Sequence, residues 1–471
     1  MVNLFRIFVV VVGFGSTLGT MFCEAGDWTR FRGPHGTGVA SGQELPSEIG
    51  INQNVVWKSP LPEGTSSPIM IGDKLFITSH SNADRTLHCF HASTGESLWT
   101  RSVQQGHDEI ATAPAGPSTP TPVTDGKAVY VFFPDTGLYA WSLDGEELWK
   151  VLVPVSTTMH GLSGSLVVDD GRLFHLVDQL SDSHLTAYDA STGKVLWKQE
   201  RVCGITGGYS TPVVYTPEDG DSLLITTGPL EVVAYSVSTG DRVWWVVGKS
   251  NAPVSSPMLV GDRVYICEPV GEPLPMSMLA PLDRNKDSIL AVSEAAGNEA
   301  IRRLLIRIDD NWGDSDQQVN EEEWNTAFES LRGKGGLVCI DATGRGDVSE
   351  THVKWTYGKV VPYIPSALVI GDSVLTVNDG GILTIVDRES GKQTARTRLK
   401  TGNGQYYASP VAVDNRIVVI DTKGVVNFVA NGEDWKSTFT CELGEPCFST
   451  PAISNNRLFI RTATTLYCFG S

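Results

Sequence analysis

Twelve residues past the middle of the chain have the types and spacing to hold a hard cation. Asp283, Asn285 and Asp287 put side-chain oxygens at positions one, three and five of a loop, and Glu294 puts a carboxylate at position twelve. Ile289 offers its main-chain carbonyl at seven, and Leu290 at eight is apolar, as an anchor into a core would be. Calcium takes roughly six to eight oxygen ligands, and this set with a two-oxygen carboxylate at the end supplies most of them. Two departures weaken the pattern. Ser288 stands at position six, where a left-handed backbone costs a side-chain-bearing residue about 1 kcal/mol, and Pro281 crowds the end of the element that enters the loop.

This is the spacing of an EF-hand loop, and a more degenerate copy follows it. Reading back from Glu323 at twelve and Val319 at eight places Asp316 at five and Asp314 at three, but Trp312 at one. Asp310 serves as the first ligand if the loop is two residues longer. The alternative for both loops is a solvated acidic turn that binds nothing. Helices must flank the loops: Ile301, Leu304, Leu305 and Ile308 form one apolar stripe at helical spacing, and Trp324, Phe328 and Leu331 form another. The whole helical segment spans residues 272–334.

Everything around that segment reads as strands. Leu185 to Trp197 alternates, turns on Ser191-Thr192-Gly193, and resumes as a short strand ending in Trp. That is a β-hairpin, with glycine where the turn needs positive φ. It recurs at Leu87–Trp99, Leu138–Trp149 and Val232–Trp244, and more weakly at Leu337–Trp355, Leu383–Leu399 and Val426–Phe439. The turn glycines are Gly95, Gly145, Gly193, Gly240, Gly344, Gly391 and Gly432. Most stand between four and five tens of residues apart, and the one gap about twice as long holds the helical segment.

A second signature precedes each hairpin: Ser66-Ser67-Pro68, Ser118-Thr119-Pro120, Ser163-Gly164-Ser165, Ser210-Thr211-Pro212, Ser255-Ser256-Pro257, Pro365-Ser366-Ala367, Ala408-Ser409-Pro410 and Ser449-Thr450-Pro451. Each is followed by a turn and an apolar strand, so each unit holds four strands. The proline can open an innermost strand without losing a ladder donor. Eight starts predict an all-β fold, an eight-bladed propeller over residues 54–471, with the helical segment inserted in blade five. The last unit stops after three strands, and Asn54 to Lys58 is the strand that completes it and closes the ring. Closure removes the exposed sheet edge.

The hairpin form resembles the PQQ-type propeller repeat. Asp27-Trp28-Thr29-Arg30-Phe31-Arg32-Gly33-Pro34 resembles the opening of secreted bacterial PQQ-binding-like, BamB-like propeller proteins. The resemblance implies fold across nearly all of the chain after the leader. For function it implies either a non-enzymatic scaffold for a protein or ligand, or a PQQ-dependent dehydrogenase that holds its quinone over the propeller axis. Quinoprotein alcohol dehydrogenases carry two adjacent cysteines under the quinone and an Asp base beside a calcium site. This chain has no Cys-Cys pair, no such acidic constellation in its axial loops, and no haem-attachment Cys-x-x-Cys-His. The scaffold is therefore the expected reading, with calcium as the cofactor rather than PQQ. Residues just before the innermost strands should ring one mouth of the axis: His107, Asp108, His160, Tyr209, Tyr363, Tyr406, Tyr407 and Phe448. Of these, His160, Tyr209, Tyr363 and Tyr406 are the set for a small ligand, against simple loop packing.

Residues 1–25 read as a secretory signal peptide: one basic residue, Arg6, an apolar run from Ile7 to Phe14, and a cleavage site after Ala25. Cys23 raises lipidation, but Phe22 stands where a small residue is needed. The run is short for a membrane span, so the expectation is a secreted or periplasmic, monomeric protein with no span in the mature chain. Residues 26–53 should pack against the ring as a latch, with His35 structural. The net charge of −18 argues against nucleic-acid partners. Cys89, Cys339 and Cys468 occupy one repeat position filled elsewhere by Ala140, Ala187 and Ala234, so they read as free, buried small residues. Cys441 and Cys447 could form a local bridge, and spacing does not decide it. His160 to Ser165 superficially matches a nucleophile elbow without its final glycine, and aligns with the blade starts instead.

Overall fold

The computed structural model describes residues 26–471 apart from 159, 180–181, 202–206, 230, 248–252, 269–274, 297–298, 332–334, 402–403 and 433. The leader expected at residues 1–25, with Cys23, lies outside the described residues, as do the ends of the insertion at 272 and 334.

The chain is an eight-bladed β-propeller of four-stranded antiparallel sheets. Val55–Pro60 pairs antiparallel with Thr465–Phe469, so the first strand completes blade 8 and closes the ring as expected. Burial explains the uneven patterning of the strands. Second and third strands such as Leu223–Gly228 and Glu231–Ser236 are buried throughout, because neighbouring blades cover both faces. Only outer strands alternate, as in Ser97–Gln104. Blade 4 gains a further edge piece: Gly346–Asp347, from the hairpin turn of blade 5, runs parallel to Trp244–Trp245.

Two devices lock the blades together. The first is the Trp of each repeat. Trp99, Trp149 and Trp197 lie on the turn glycines Gly145, Gly193 and Gly240 of the next blade, where any Cβ would stand within 2.9 Å of ring carbons. Their indole Nε1 groups donate to Leu143, Ala190 and Val237 carbonyls. Trp355 repeats this on Gly391. Blade 5 departs from the pattern. Gly344 meets Val348 and His352 rather than a Trp, and the positive φ of that turn falls on Gly346. The longer turn is the one that supplies the extra edge piece.

The second device explains the blade-start signature. Ser67 N–H donates to Thr121 Oγ1 at 3.0 Å, Thr121 N–H to Ser165 Oγ at 3.0 Å, and Ser165 N–H to Thr211 Oγ1 at 3.0 Å. The chain of bonds continues from Thr211 to Ser256, Ser366, Ser409 and Thr450. A belt of buried hydroxyls thus circles the axis, each satisfying a main-chain donor that the start of an inner strand would leave unpaired. At the closing junction Ser449 Oγ donates to Thr65 O at 3.0 Å. The belt corrects one alignment: in blade 2 the equivalent residue is Thr121 before Pro122, not Thr119. It also gives Ser165 a structural role.

Residues 26–40 cross the mouth of the axis at the far ends of the inner strands. Trp28 bridges Met70 of blade 1, and Thr29 O accepts Thr124 N–H of blade 2 at 2.9 Å. Arg30 Nη2 donates to Pro212 O of blade 4 and Arg32 Nη2 to Ala367 O of blade 6, each at 2.6 Å. Gly38 and Ala40 bond Ala412 of blade 7, and Gly26 O accepts Ser454 Oγ of blade 8. The segment is a plug tied to blades all round the ring. His35 is exposed on it.

Cys89, Cys339 and Cys468 are buried free thiols, each pushed up to about 12 by burial. Cys441 and Cys447 are free thiols as well.

Candidate functional sites

The insertion in blade 5 carries α1 (Glu299–Trp312) and α2 (Glu321–Leu331), preceded by a single 3₁₀ turn at Met276–Leu279. Leu304, Leu305 and Ile308 of α1 pack with Trp324, Ala327 and Phe328 of α2 in a core separate from the propeller's. The side chain of Leu331 lies outside the description. Val247, on the outer strand of blade 4, is the propeller residue packed against this core. The element entering the first loop is the short 3₁₀ turn after Pro275 rather than an α-helix, which fits the proline-rich approach.

The two loops lie back to back. Leu290 pairs with Val319 and Ala291 with Gln318 in a two-stranded sheet, so the two position-eight residues meet in the core. In the first loop Asp283 accepts the N–H groups of Lys286 at 2.7 Å and Ser288 at 2.9 Å. Asn285 Oδ1 accepts Asp287 N–H, Asp287 Oδ1 accepts Ile289 N–H, and Glu294 accepts from Arg284 and Ala291. Lys286 and Ser288, positions four and six, have φ of 61° and 67°. Their counterparts Ser315 and Gln317 have φ of 62° and 65°, so the second loop has the same backbone course.

The second loop differs in its first ligand. Asp309 is 2% exposed and turns its carboxylate in, accepting Asp316 N–H at 3.2 Å and Gln317 N–H at 2.7 Å. Carboxylate oxygens of Asp309, Asp314 and Asp316 lie within 4.8 Å of one another. Asp310 is exposed and outside this group. Counting back from Glu323 pointed to Asp310. The helix instead continues to Trp312 and lets Asp309, one residue earlier and on its buried side, reach the loop. Glu323 Oε2 accepts Asn320 N–H at 3.0 Å, as Glu294 does in the first loop.

The second site is the mouth of the axis opposite the plug. His160 is exposed, its ring 5.8 Å from that of Tyr209, and its Nδ1 is 2.8 Å from Thr112 Oγ1. Burial pushes the Tyr209 phenol up to about 12. Tyr363 is exposed close enough for its phenol to act on Tyr209. Tyr407 and Phe448 form another ring pair at 5.8 Å. His107 Nε2 stands 3.4 Å from Glu109, which also accepts Ser156 N–H, and Asp108 accepts Gln105 Nε2. Tyr406 does not join the mouth: it is 1% exposed, in the core with Tyr265 and Leu399.

Charges near this mouth escaped the sequence reading. Arg85 meets Asp135 at 2.6 Å between blades 1 and 2. Arg201 clasps Asp178 through Nε at 2.6 Å and Nη2 at 3.0 Å, and donates to Thr226 and Tyr235 of blade 4. Arg461 is buried on Ser66 Oγ and Pro62 O. Arg85 and Asp135 lie in different blades, and Arg201 and Asp178 follow two separate strands of blade 3, so no local spacing rule links them and only the fold brings them together.

The architecture and repeat define an eight-bladed propeller of the PQQ-repeat class. A family profile described as "Outer membrane protein assembly factor BamB" matches residues 83–296 and 181–469, and the chain belongs to this family. The protein of that name from Burkholderia pseudomallei (strain K96243) is 22% identical over 378 residues, covering 79% of this chain and 86% of that one. The crystal structure of BamB from Moraxella catarrhalis superposes with a TM-score of 0.54 at 13% identity, over 88% of this chain and 97% of that one. A europium-containing methanol dehydrogenase superposes with a TM-score of 0.62 at 9% identity, over 95% and 98%. At such identities the structural likeness speaks to fold alone.

A bound quinone would need cations for its carboxylates and a flat slot between covering groups. Among the described residues, the buried arginines near the open mouth do not fit this. Arg85 and Arg201 are engaged by Asp135 and Asp178, Arg461 by hydroxyl and carbonyl oxygens, and no two cysteines are adjacent in the chain.

Proposed function

We propose that the chain is a non-enzymatic, exported propeller scaffold that presents the open axial mouth to a protein partner or small ligand. The observation that carries this is the match to an outer-membrane assembly factor along most of both chains. The internal pairing of Arg85 and Arg201 supports it, since those cations bind the scaffold together rather than a cofactor. His160, Tyr209 and Tyr363 are the binding residues of the mouth. Asp283, Asn285, Asp287, Ile289 and Glu294 hold calcium in the first inserted loop, and Asp309, Asp314, Asp316 and Glu323 do so in the second. The protein works in the periplasm or outside the cell, as a monomer, without nucleic acid. No helix among the described residues is long and apolar enough to cross a membrane.

The alternative, a PQQ-dependent dehydrogenase, draws support from the likeness in fold to the methanol dehydrogenase. Denaturing extraction of natively purified protein, read by absorbance and mass, separates the two. The scaffold reading expects no quinone, and a stoichiometric amount would overturn it.

A further inference from the structure

The plug concentrates buried hydrogen-bond donors that meet no acceptor. Arg32 is fully buried, and its Nε and Nη1 have no hydrogen-bond partner. Its Nη2 bonds Ala367 O at 2.6 Å and more loosely Thr37 O at 3.4 Å. Arg30 is 8% exposed and bonds Pro212 O through Nη2, with no partner at Nε. Trp28 Nε1 is likewise unpartnered, and every such atom in this stretch is a donor.

Neither guanidinium is ion-paired with a carboxylate among the described residues. Burial lowers both to about 10, so both are cationic at neutral pH. Asp169 is the one carboxylate whose charge acts on Arg30, and burial pushes its own carboxyl up. The group acting on Arg32 is the Cys267 thiol, pushed up to about 12 and therefore neutral. Elsewhere Arg85 pairs with Asp135 and Arg201 with Asp178, while Arg461 is buried on hydroxyl and carbonyl oxygens with its Nε also unpartnered. A buried charge without a counter-charge costs several kcal/mol even after relaxation. Water in the channel would satisfy N–H groups but would not balance two charges.

The placement is that of a site. Pro212 and Ala367 each follow a belt hydroxyl, Thr211 and Ser366, so both guanidiniums stand at one level just beneath the belt, on blades 4 and 6. Phe31 between them points outward to partial exposure. Glycine backbone packs closely against each head: a Cβ at Gly36 would stand 3.7 Å from Arg30 Nη2, and one at Gly38 3.2 Å from Arg32 Nη2. We propose that the axial channel below the hydroxyl belt is an anion site, in which Arg30 and Arg32 hold a small inorganic anion of chloride or phosphate size. The anion then pins the N-terminal plug to the ring.

Two measurements on the full chain test this. In crystals grown with sodium bromide, and separately with sodium phosphate, density for the anion is expected in contact with Arg32 Nε or Nη1 and with Arg30. Water alone at those positions in both crystals overturns the proposal, and which crystal shows density tells halide from oxyanion. In solution, the melting temperature is expected to rise about 1–2 °C per tenfold increase of the bound anion, at constant ionic strength. The rise should vanish in Arg32→Met. An equal rise in wild type and variant marks a general salt effect and counts against the site. If Arg32→Met fails to fold, Arg30→Met and the wild-type crystals carry the test.

Discussion

Trp57 lies flat on Gly95, and its Nε1 donates to Ala92 O at 2.9 Å, although 35 residues separate the two carriers of that bond. The same Trp pairs with Cys468 in its own sheet. One residue of the first strand thus joins blade 8 to blade 1, and the ring is closed by side-chain packing as well as by the ladder.

Removing that contact should weaken the ring as a whole. Trp57→Ala is expected to cost about 3–5 kcal/mol, as for other large buried aromatics, and Gly95→Val about as much, since its Cβ would meet the indole at 2.5 Å with φ at 73°. Denaturant unfolding followed by fluorescence and by far-UV dichroism should show one shifted transition. Separate transitions, with one blade melting early, would contradict closure as a global constraint.

The belt predicts a sharp difference between two conservative changes. Thr211→Val leaves Ser165 N–H buried with no acceptor, for a loss of about 1–3 kcal/mol. Thr211→Ser keeps the hydroxyl and should retain most of the stability. Equal losses in the two variants would mean that the methyl group matters and the bond does not.

For the insertion, calorimetric titration should detect weak calcium binding, with Kd of roughly 10⁻⁴–10⁻³ M given the residue at position six. Glu294→Gln should remove the first site by losing a two-oxygen ligand. In the second loop Asp309→Asn should weaken binding and Asp310→Asn should not. Hydrogen exchange of residues 276–331 should slow with calcium while the blades stay unchanged. No heat and no protection at millimolar calcium would leave the loops as acidic turns.

Acid should destabilise the fold through His175 and His88. Burial lowers these imidazoles to about 3 and about 4, so both stay neutral in the folded chain while the unfolded chain protonates them below its ordinary value of about 6.5. The unfolded state then binds more protons, and stability falls as pH drops from about 6.5 toward 4. His175 packs edge-on to Phe132 at 4.3 Å with neither ring nitrogen bonded. His175→Phe should therefore flatten the acid limb of stability against pH. An unchanged slope would place the titration elsewhere.

The blades were legible because each repeats one local pattern, and a turn glycine under a Trp leaves a mark in the sequence. What escaped depends on neighbours remote in the chain. Thr121 rather than Thr119 enters the belt because both precede a proline, and only the preceding blade's Ser67 chooses between them. Gly344 gives way to Gly346 because a longer turn in blade 5 reaches back to the edge of blade 4. Counting back gave Trp312, or Asp310 with a loop two residues longer, but no count shows that Asp309, the adjacent acid, is the one the helix turns inward. Tyr406 has the right register for the mouth, but its side chain turns into the core. The pairs Arg85–Asp135 and Arg201–Asp178 follow no local rule at all.

The plug and the first strand wait for the end of the chain. Trp57 needs Cys468, Gly26 needs Ser454, and Ala40 needs Ala412. A growing or threading polypeptide can therefore assemble inner blades from local hairpins, but the plug's bonds to blades 7 and 8 and the pairing of Val55–Pro60 wait for residues 412–469. Such long-range closure is slow and leaves the two ends exposed to proteases and chaperones in the interval. Completion of the ring thus couples its first strand to its last: a chain stopped before Thr465–Phe469 loses the seat of Val55–Pro60.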